Sequence, residues 1–78
     1  MVDETNEVIE IFKECLGPLA NLDIDSEMDD VREWDSMHHV MIVSTIEQRF
    51  SISIPEEDFF DLVSVRAFVD EVNKLVNA

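Results

Sequence analysis

The sequence has 78 residues, 46% of them hydrophobic, and its 19 Asp and Glu against five Lys and Arg give a net charge of −14. This composition predicts one small folded domain over residues 1–78, because a disordered acidic tail would contain far fewer apolar residues. The charge excludes nucleic acid as a partner and argues against a membrane surface, since phosphate backbones and anionic lipids would repel the chain.

The N-terminus shows no charged leader followed by an apolar run and a cleavage site. No apolar run approaches the length of about 18 residues that a membrane-spanning helix needs. We therefore expect a soluble, cytoplasmic protein. Cys15 is the sole cysteine, so no intrachain disulfide can form, and its place in an apolar helical pattern predicts a buried structural thiol.

Residues 4–16 are predicted to form the first helix, because apolar residues recur there at helical spacing: Val8, Ile9, Phe12, Cys15 and Leu16. Gly17-Pro18 ends this helix, with Gly17 expected in a left-handed cap. A long loop follows over residues 19–34. Its apolar residues are expected to hold it across the helices, namely Leu19, Leu22, Ile24, Met28, Val31 and Trp34. Trp34 is interpreted as a hydrophobic plug over the core.

The second helix is predicted over residues 36–50, with Asp35 as its N-cap. Its expected apolar face consists of Met37, Val40, Val43, Ile46 and Phe50. Residues 51–55 are interpreted as an extended connector that buries Ile52 or Ile54, and residues 56–61 as a short third helix. Ser64 is expected to cap a last helix over 65–76. The predicted fold is an all-α, four-helix bundle with three main helices, one short third helix and a long first loop.

Ser36 is the residue best suited to a functional role. On the first turn of a helix its hydroxyl would point outward beside unpaired backbone N–H groups, a setting that suits a covalently attached phosphate. No evident base activates this serine, so catalysis by the chain itself is not expected. A separate transferase would have to supply the base and a metal ion.

Two segments partly resemble metal sites, and neither is expected to bind a metal ion. The run Asp23-x-Asp25-x-Glu27-x-Asp29 begins like a calcium loop, but Met28 replaces the required glycine and Trp34 the final glutamate. His38 and His39 are neighbours on a helix and point about 100° apart, so they cannot share one ion. Both histidines are expected to face solvent.

The chain resembles an acyl carrier protein from about residue 35 to residue 72 without a gap. The resemblance lies in Asp35-Ser36-Met37, Glu47-x-x-Phe50, Ile54-Pro55 and Val63-Ser64-Val65. It implies that a transferase moves the 4'-phosphopantetheine of coenzyme A onto Ser36, within a motif that includes Asp35. The terminal thiol then carries an acyl or related group as a thioester in fatty acid or polyketide biosynthesis. Such a carrier catalyses nothing.

The resemblance also implies that the chain is a monomer with two kinds of partner. One is a phosphopantetheinyl transferase, and the others are acyl- or aminoacyl-activating, condensing or transfer enzymes with basic patches. Candidate partner contacts are Met37, His38, Met41, Glu47 and Glu57, and candidates for an acyl pocket are Val40, Ile54, Leu62 and Phe68. Met37 replaces the family's usual leucine, and His38, His39 and Met41 make the second helix less acidic than in carriers of fatty acid synthesis. A specialised pathway is therefore favoured. An aminoacyl or peptidyl carrier and an unmodified acidic adaptor or regulator remain alternatives.

Overall fold

The computed structural model describes residues 3–17 and 21–77. Its three α-helices are α1 (Thr5–Leu16), α2 (Ser36–Phe50) and α3 (Val65–Val76), and two short 3-10 helices span Met28–Asp30 and Glu56–Asp58. The described part of the chain is all-helical and contains no strand. Each described helix is too short or too polar to cross a membrane.

The four-helix count is not confirmed, because the segment predicted as a short third α-helix is a 3-10 helix followed by turns. Asp58 N donates to Pro55 O at 2.9 Å and Phe59 N to Glu56 O at 3.2 Å. Both hydrogen bonds span three residues, which is the 3-10 pattern. The bundle therefore has three α-helices among its described residues.

Helix α1 buries one apolar stripe, made of Val8, Ile11, Phe12 and Leu16. It ends at Gly17, whose φ of 103° is positive as expected, but whose ψ of 153° lies outside the left-handed helical region. Cys15 is half-buried, with its sulfur 3.7 Å from Thr45 Oγ1 on α2. Pro18 and Leu19 lie outside the described residues.

The expected apolar face of α2 was wrong at two positions. Met37 and Val40 are 72% and 45% exposed. The buried face instead comprises His39, Ile42, Val43 and Ile46, with Phe50 half-buried. This set also has helical spacing. This face can be buried in place of the expected one because a histidine is tolerated in the core when both ring nitrogens have hydrogen-bond partners, as those of His39 do.

The loop between α1 and α2 closes one side of the core, and the plug role of Trp34 is confirmed. Trp34 is 3% exposed, and its ring packs edge-on against Phe12 at 5.0 Å between centroids. The loop is also tied to the start of α3, since Met28 N donates to Val63 O and Val65 N to Ser26 O, at 2.8 and 2.9 Å.

The two remaining elements follow the predictions. Ser64 caps α3, because its hydroxyl accepts from Ala67 N at 3.1 Å. The connector after α2 buries Ile54, whose backbone N–H donates to the Glu47 carboxylate at 2.8 Å. The connector is therefore held along one flank of α2, the flank on which Glu47 lies.

Candidate functional site

Ser36 is the first residue of α2 and its side chain is exposed. Within residues 3–17 and 21–77 its hydroxyl makes no hydrogen bond. The first turn of a helix leaves its leading amides without intrahelical acceptors, and here those include the N–H groups of Ser36 and Met37. The site therefore combines an accessible hydroxyl with open donors and the positive end of the helix dipole, which favours an attached anion.

Asp35 caps the helix and interacts twice with His38. Its Oδ1 accepts from the backbone N–H of His38 at 2.9 Å and lies 2.7 Å from His38 Nδ1. The backbone hydrogen bond first, and the bond to the ring second, lower the pKa of Asp35 below its usual 3.8. A negative charge therefore stands next to Ser36 at neutral pH and opposes a phosphate there. An enzyme that places a phosphate on Ser36 must offset this repulsion.

His39 is the residue near the site that the sequence reasoning misplaced. It was expected to face solvent, but it is fully buried. Its Nδ1 accepts from the indole N–H of Trp34 at 3.0 Å, and its Nε2 lies 2.6 Å from the carbonyl oxygen of Phe59. Because an indole nitrogen only donates and a carbonyl only accepts, the imidazole is neutral with its proton on Nε2. The spacing of His39 with Ile42, Val43 and Ile46 was the available signal.

The four candidates for an acyl pocket divide between core and surface. Ile54, Leu62 and Phe68 are buried at 6%, 7% and 0% exposure, whereas Val40 is exposed. Val40 lies seven residues before Glu47, nearly two helical turns, so both share the flank of α2 that faces the connector. Val40 thus lies beside the contact between α2 and the connector of residues 51–55, on the same flank of the helix as Ser36.

A cavity of about 330 Å³ lies elsewhere, between the first loop and the start of α3. Its lining residues are Ile24, Asp25, Glu27, Val63, Ser64 and Arg66. None of the four pocket candidates borders it. Because Ile54, Leu62 and Phe68 are buried, a cargo that reached them from Val40 would have to displace packed side chains.

The five candidate partner contacts differ in accessibility. Met37 and Met41 are 72% and 46% exposed and stand one turn apart on α2. His38 is half-buried, and Glu57 is exposed on the second 3-10 helix. Glu47 is half-buried, and its carboxylate is occupied by the N–H of Ile54. The accessible surface near Ser36 therefore combines exposed apolar side chains, which include Val40 and Phe60, with the exposed carboxylate of Asp35.

The acidic run from Asp23 to Asp29 lies within the described part of the chain. In the described ranges, no group of three or more His, Cys, Asp or Glu side chains is placed to hold a metal ion. Asp25, in the run that resembles a calcium loop, instead pairs with Arg66 at 2.6 Å.

The chain matches the protein-family model described as phosphopantetheine attachment site over residues 6–72. A search among curated proteins found no match. The matched range contains Asp35, Ser36, all of α2 and all but the last turn of α3.

Proposed function

Since the chain belongs to the phosphopantetheine attachment site family, we propose that it is an acyl carrier protein modified at Ser36. The domain of this family holds a covalent 4'-phosphopantetheine group, which supports a carrier role. The observation that carries the assignment to Ser36 is its exposed side chain at the first position of α2, inside the matched range, with no hydrogen bond from its hydroxyl to any described residue.

The residues around Ser36 fit an attached phosphate. The open N–H groups of the first turn and the helix dipole stabilise negative charge by about 0.3–1 kcal/mol. Asp35 holds the first turn in place by its bond to His38 N, so the hydroxyl stands at a defined position. When bound, the prosthetic group supplies a terminal thiol for a thioester. The chain contributes the attachment oxygen and its orientation, and a transferase contributes the base.

The proposed cargo is an acyl group of a specialised pathway. The partners are the phosphopantetheinyl transferase and acyl-activating, condensing or transfer enzymes with basic patches, which the net charge of −14 attracts over long range. Support for a specialised pathway comes from the exposed Met37, Val40 and Met41 on α2, which offer partners apolar contact instead of carboxylates. An aminoacyl or peptidyl cargo on the same 4'-phosphopantetheine group is the second candidate.

The modification is tested by intact mass after incubation with coenzyme A, Mg²⁺ and a broad-specificity phosphopantetheinyl transferase. We expect one added phosphopantetheine on the wild type, one on the control Ser44→Ala, and none on Ser36→Ala. Ser44 is a suitable control because it is an exposed serine on the same helix. An unmodified wild type favours the alternative of an acidic adaptor, and a mass gain that persists in Ser36→Ala refutes the assigned residue.

The cargo is tested by mass spectrometry of the protein recovered from its native host. Hydroxylamine cleaves thioesters, so it should release the acyl group and remove the mass that this group adds to the protein. Such a result supports the acyl carrier. An amino acid or peptide released by the same treatment refutes it in favour of the second candidate.

A further inference from the structure

The segment 56–61, which runs beside the start of α2, makes most of its hydrogen bonds within residues 55–61, and Phe59 packs against the core. Asp58 N, Phe59 N and Asp61 N each donate to a carbonyl three residues earlier, at 2.9, 3.2 and 3.1 Å. In the described part of the chain, one hydrogen bond joins the segment to another element, from His39 Nε2 to the carbonyl of Phe59 at 2.6 Å. His39 therefore provides the polar link between the segment 56–61 and α2.

The opposite edge of the same ring holds the chain that leads into Ser36. His39 Nδ1 accepts from the indole N–H of Trp34, two residues before Ser36, and the backbone N–H of His39 donates to Asp35 O at 2.8 Å. The indole and imidazole planes are nearly parallel, at 13°. One buried ring therefore joins the residues just before Ser36 to the segment 56–61.

The link also sets the place of an exposed aromatic side chain. The Phe60 ring lies 5.6 Å from the His39 ring, at an interplanar angle of 18°, yet Phe60 is 65% exposed. Phe59 approaches the same imidazole at 67°, with centroids 6.0 Å apart. Phe60 thus covers His39 on the surface side, close to the helical turn that begins at Ser36.

We propose that His39 is a positioning residue: in one neutral tautomer it holds the segment 56–61 against α2, so that Ser36 and Phe60 meet the phosphopantetheinyl transferase as one rigid surface. The inference rests on the proposed modification of Ser36. A partner that binds two separate pieces of chain must order whichever of them is mobile, which weakens binding. Loss of the link therefore raises the KM for the carrier more than it changes kcat.

Two substitutions of His39 separate its two hydrogen bonds. His39→Gln places an amide N–H near Nε2, so it keeps the bond to Phe59 and loses the bond to Trp34. His39→Asn places an oxygen near Nδ1, so it keeps the bond to Trp34 and loses the bond to Phe59. Each variant loses one buried hydrogen bond, which makes them matched controls for each other.

The measurement is steady-state transfer from coenzyme A, with the carrier as the varied substrate. We expect His39→Asn to raise the KM by about tenfold with little change in kcat, and His39→Gln to stay within about twofold of the wild type. Val8→Ala controls for lost stability. Val8 is fully buried beside Glu7, which pairs with Arg49 at the end of α2 remote from Ser36. Equal KM values for the Gln and Asn variants, or a Val8→Ala value like that of Asn, overturn the proposal.

Phe60→Ala tests the same surface without disturbing the core, because Phe60 is mostly exposed. We expect it to raise the KM about as much as His39→Asn does, and an unchanged KM overturns the proposal. Nitrogen-15 NMR of the wild-type imidazole is expected to show a proton on Nε2 of His39, and a proton on Nδ1 contradicts the link directly. A wild-type protein that receives no phosphopantetheine from the transferase refutes the proposed function as well as this inference. Normal modification with unaffected variants refutes this inference alone.

Discussion

Asp35 has two opposing effects on its neighbour Ser36. Its carboxylate caps α2 by accepting from His38 N, which fixes the turn on which Ser36 stands. The same carboxylate is largely exposed and negative, so it repels an incoming phosphate. His38 Nδ1 lies within hydrogen-bond distance of Asp35 Oδ1, at 2.7 Å, so the ring occupies one lone pair of this carboxylate. At the scale of single residues, Asp35 therefore fixes the geometry of the first turn of α2 but makes the attachment of a phosphate to Ser36 electrostatically less favourable.

Asp35 should titrate below its usual pKa of 3.8, because the backbone N–H of His38 and then its ring favour the ionised form. A lowered folded-state pKa adds stability that is present above 3.8 and is lost as pH falls through the folded value. Carbon-13 NMR of the Asp35 carboxyl measures this midpoint. His38→Ala removes the ring but keeps a backbone N–H, so it should raise the midpoint only part of the way. A wild-type midpoint at or above 3.8 contradicts the geometry.

At the scale of elements, the rotation of α2 decides which apolar residues stabilise the fold. Ile42 is fully buried and its neighbour Met41 is 46% exposed. Ile42→Ala should therefore cost about 2–5 kcal/mol of unfolding free energy, whereas Met41→Ala should change it by no more than about 0.5 kcal/mol. Denaturant unfolding of both variants measures the difference. Equal costs would mean that α2 does not turn Ile42 into the core and Met41 toward solvent.

The cap of α3 is a second test at this scale. Ser64 Oγ accepts from Ala67 N at 3.1 Å. Ser64→Ala should cost about 1 kcal/mol of unfolding free energy, because the first turn of α3 then loses an acceptor. Ser64→Asp, which restores an acceptor, serves as the control in the same denaturant experiment. A loss in the Asp variant as large as that in the Ala variant would place the cost in packing and not in capping.

Local signals predicted the helices well because caps and spacing lie within a few residues of one another. α2 (Ser36–Phe50), α3 (Val65–Val76) and the caps Asp35 and Ser64 agree with the predictions. The buried face of α2 was predicted correctly at Val43 and Ile46 but wrongly at Met37 and Val40, because apolar residues occupy much of the helix circumference. Burial of His39 depends on the carbonyl of Phe59, 20 residues away, and no local pattern indicates that partner. The attachment role of Ser36 stays a prediction.

At the scale of the whole molecule, acidic groups far outnumber the cations that could pair with them. Arg49 joins α1 to α2 through Glu7 and Glu14, at 2.7 and 3.1 Å, and Arg66 pairs with Asp25. These pairs are exposed, and such pairs contribute only about 0–1 kcal/mol each. Most of the 19 acidic residues therefore act as mutually repelling charges that compaction brings closer together.

Added salt should consequently stabilise the fold, because screening weakens this repulsion more than it weakens a few exposed ion pairs. We expect the melting temperature to rise steadily between about 0.01 M and about 0.3 M NaCl, a range over which the screening length falls from about 30 Å to well under 10 Å. Tetramethylammonium chloride at equal ionic strength is the control, since its cation is too bulky and too weakly coordinating for a carboxylate site. Equal rises in the two salts identify general screening. A rise in NaCl alone would instead point to sodium held by the acidic loop, and a flat melting temperature in both would show that self-repulsion does not limit the stability of this protein.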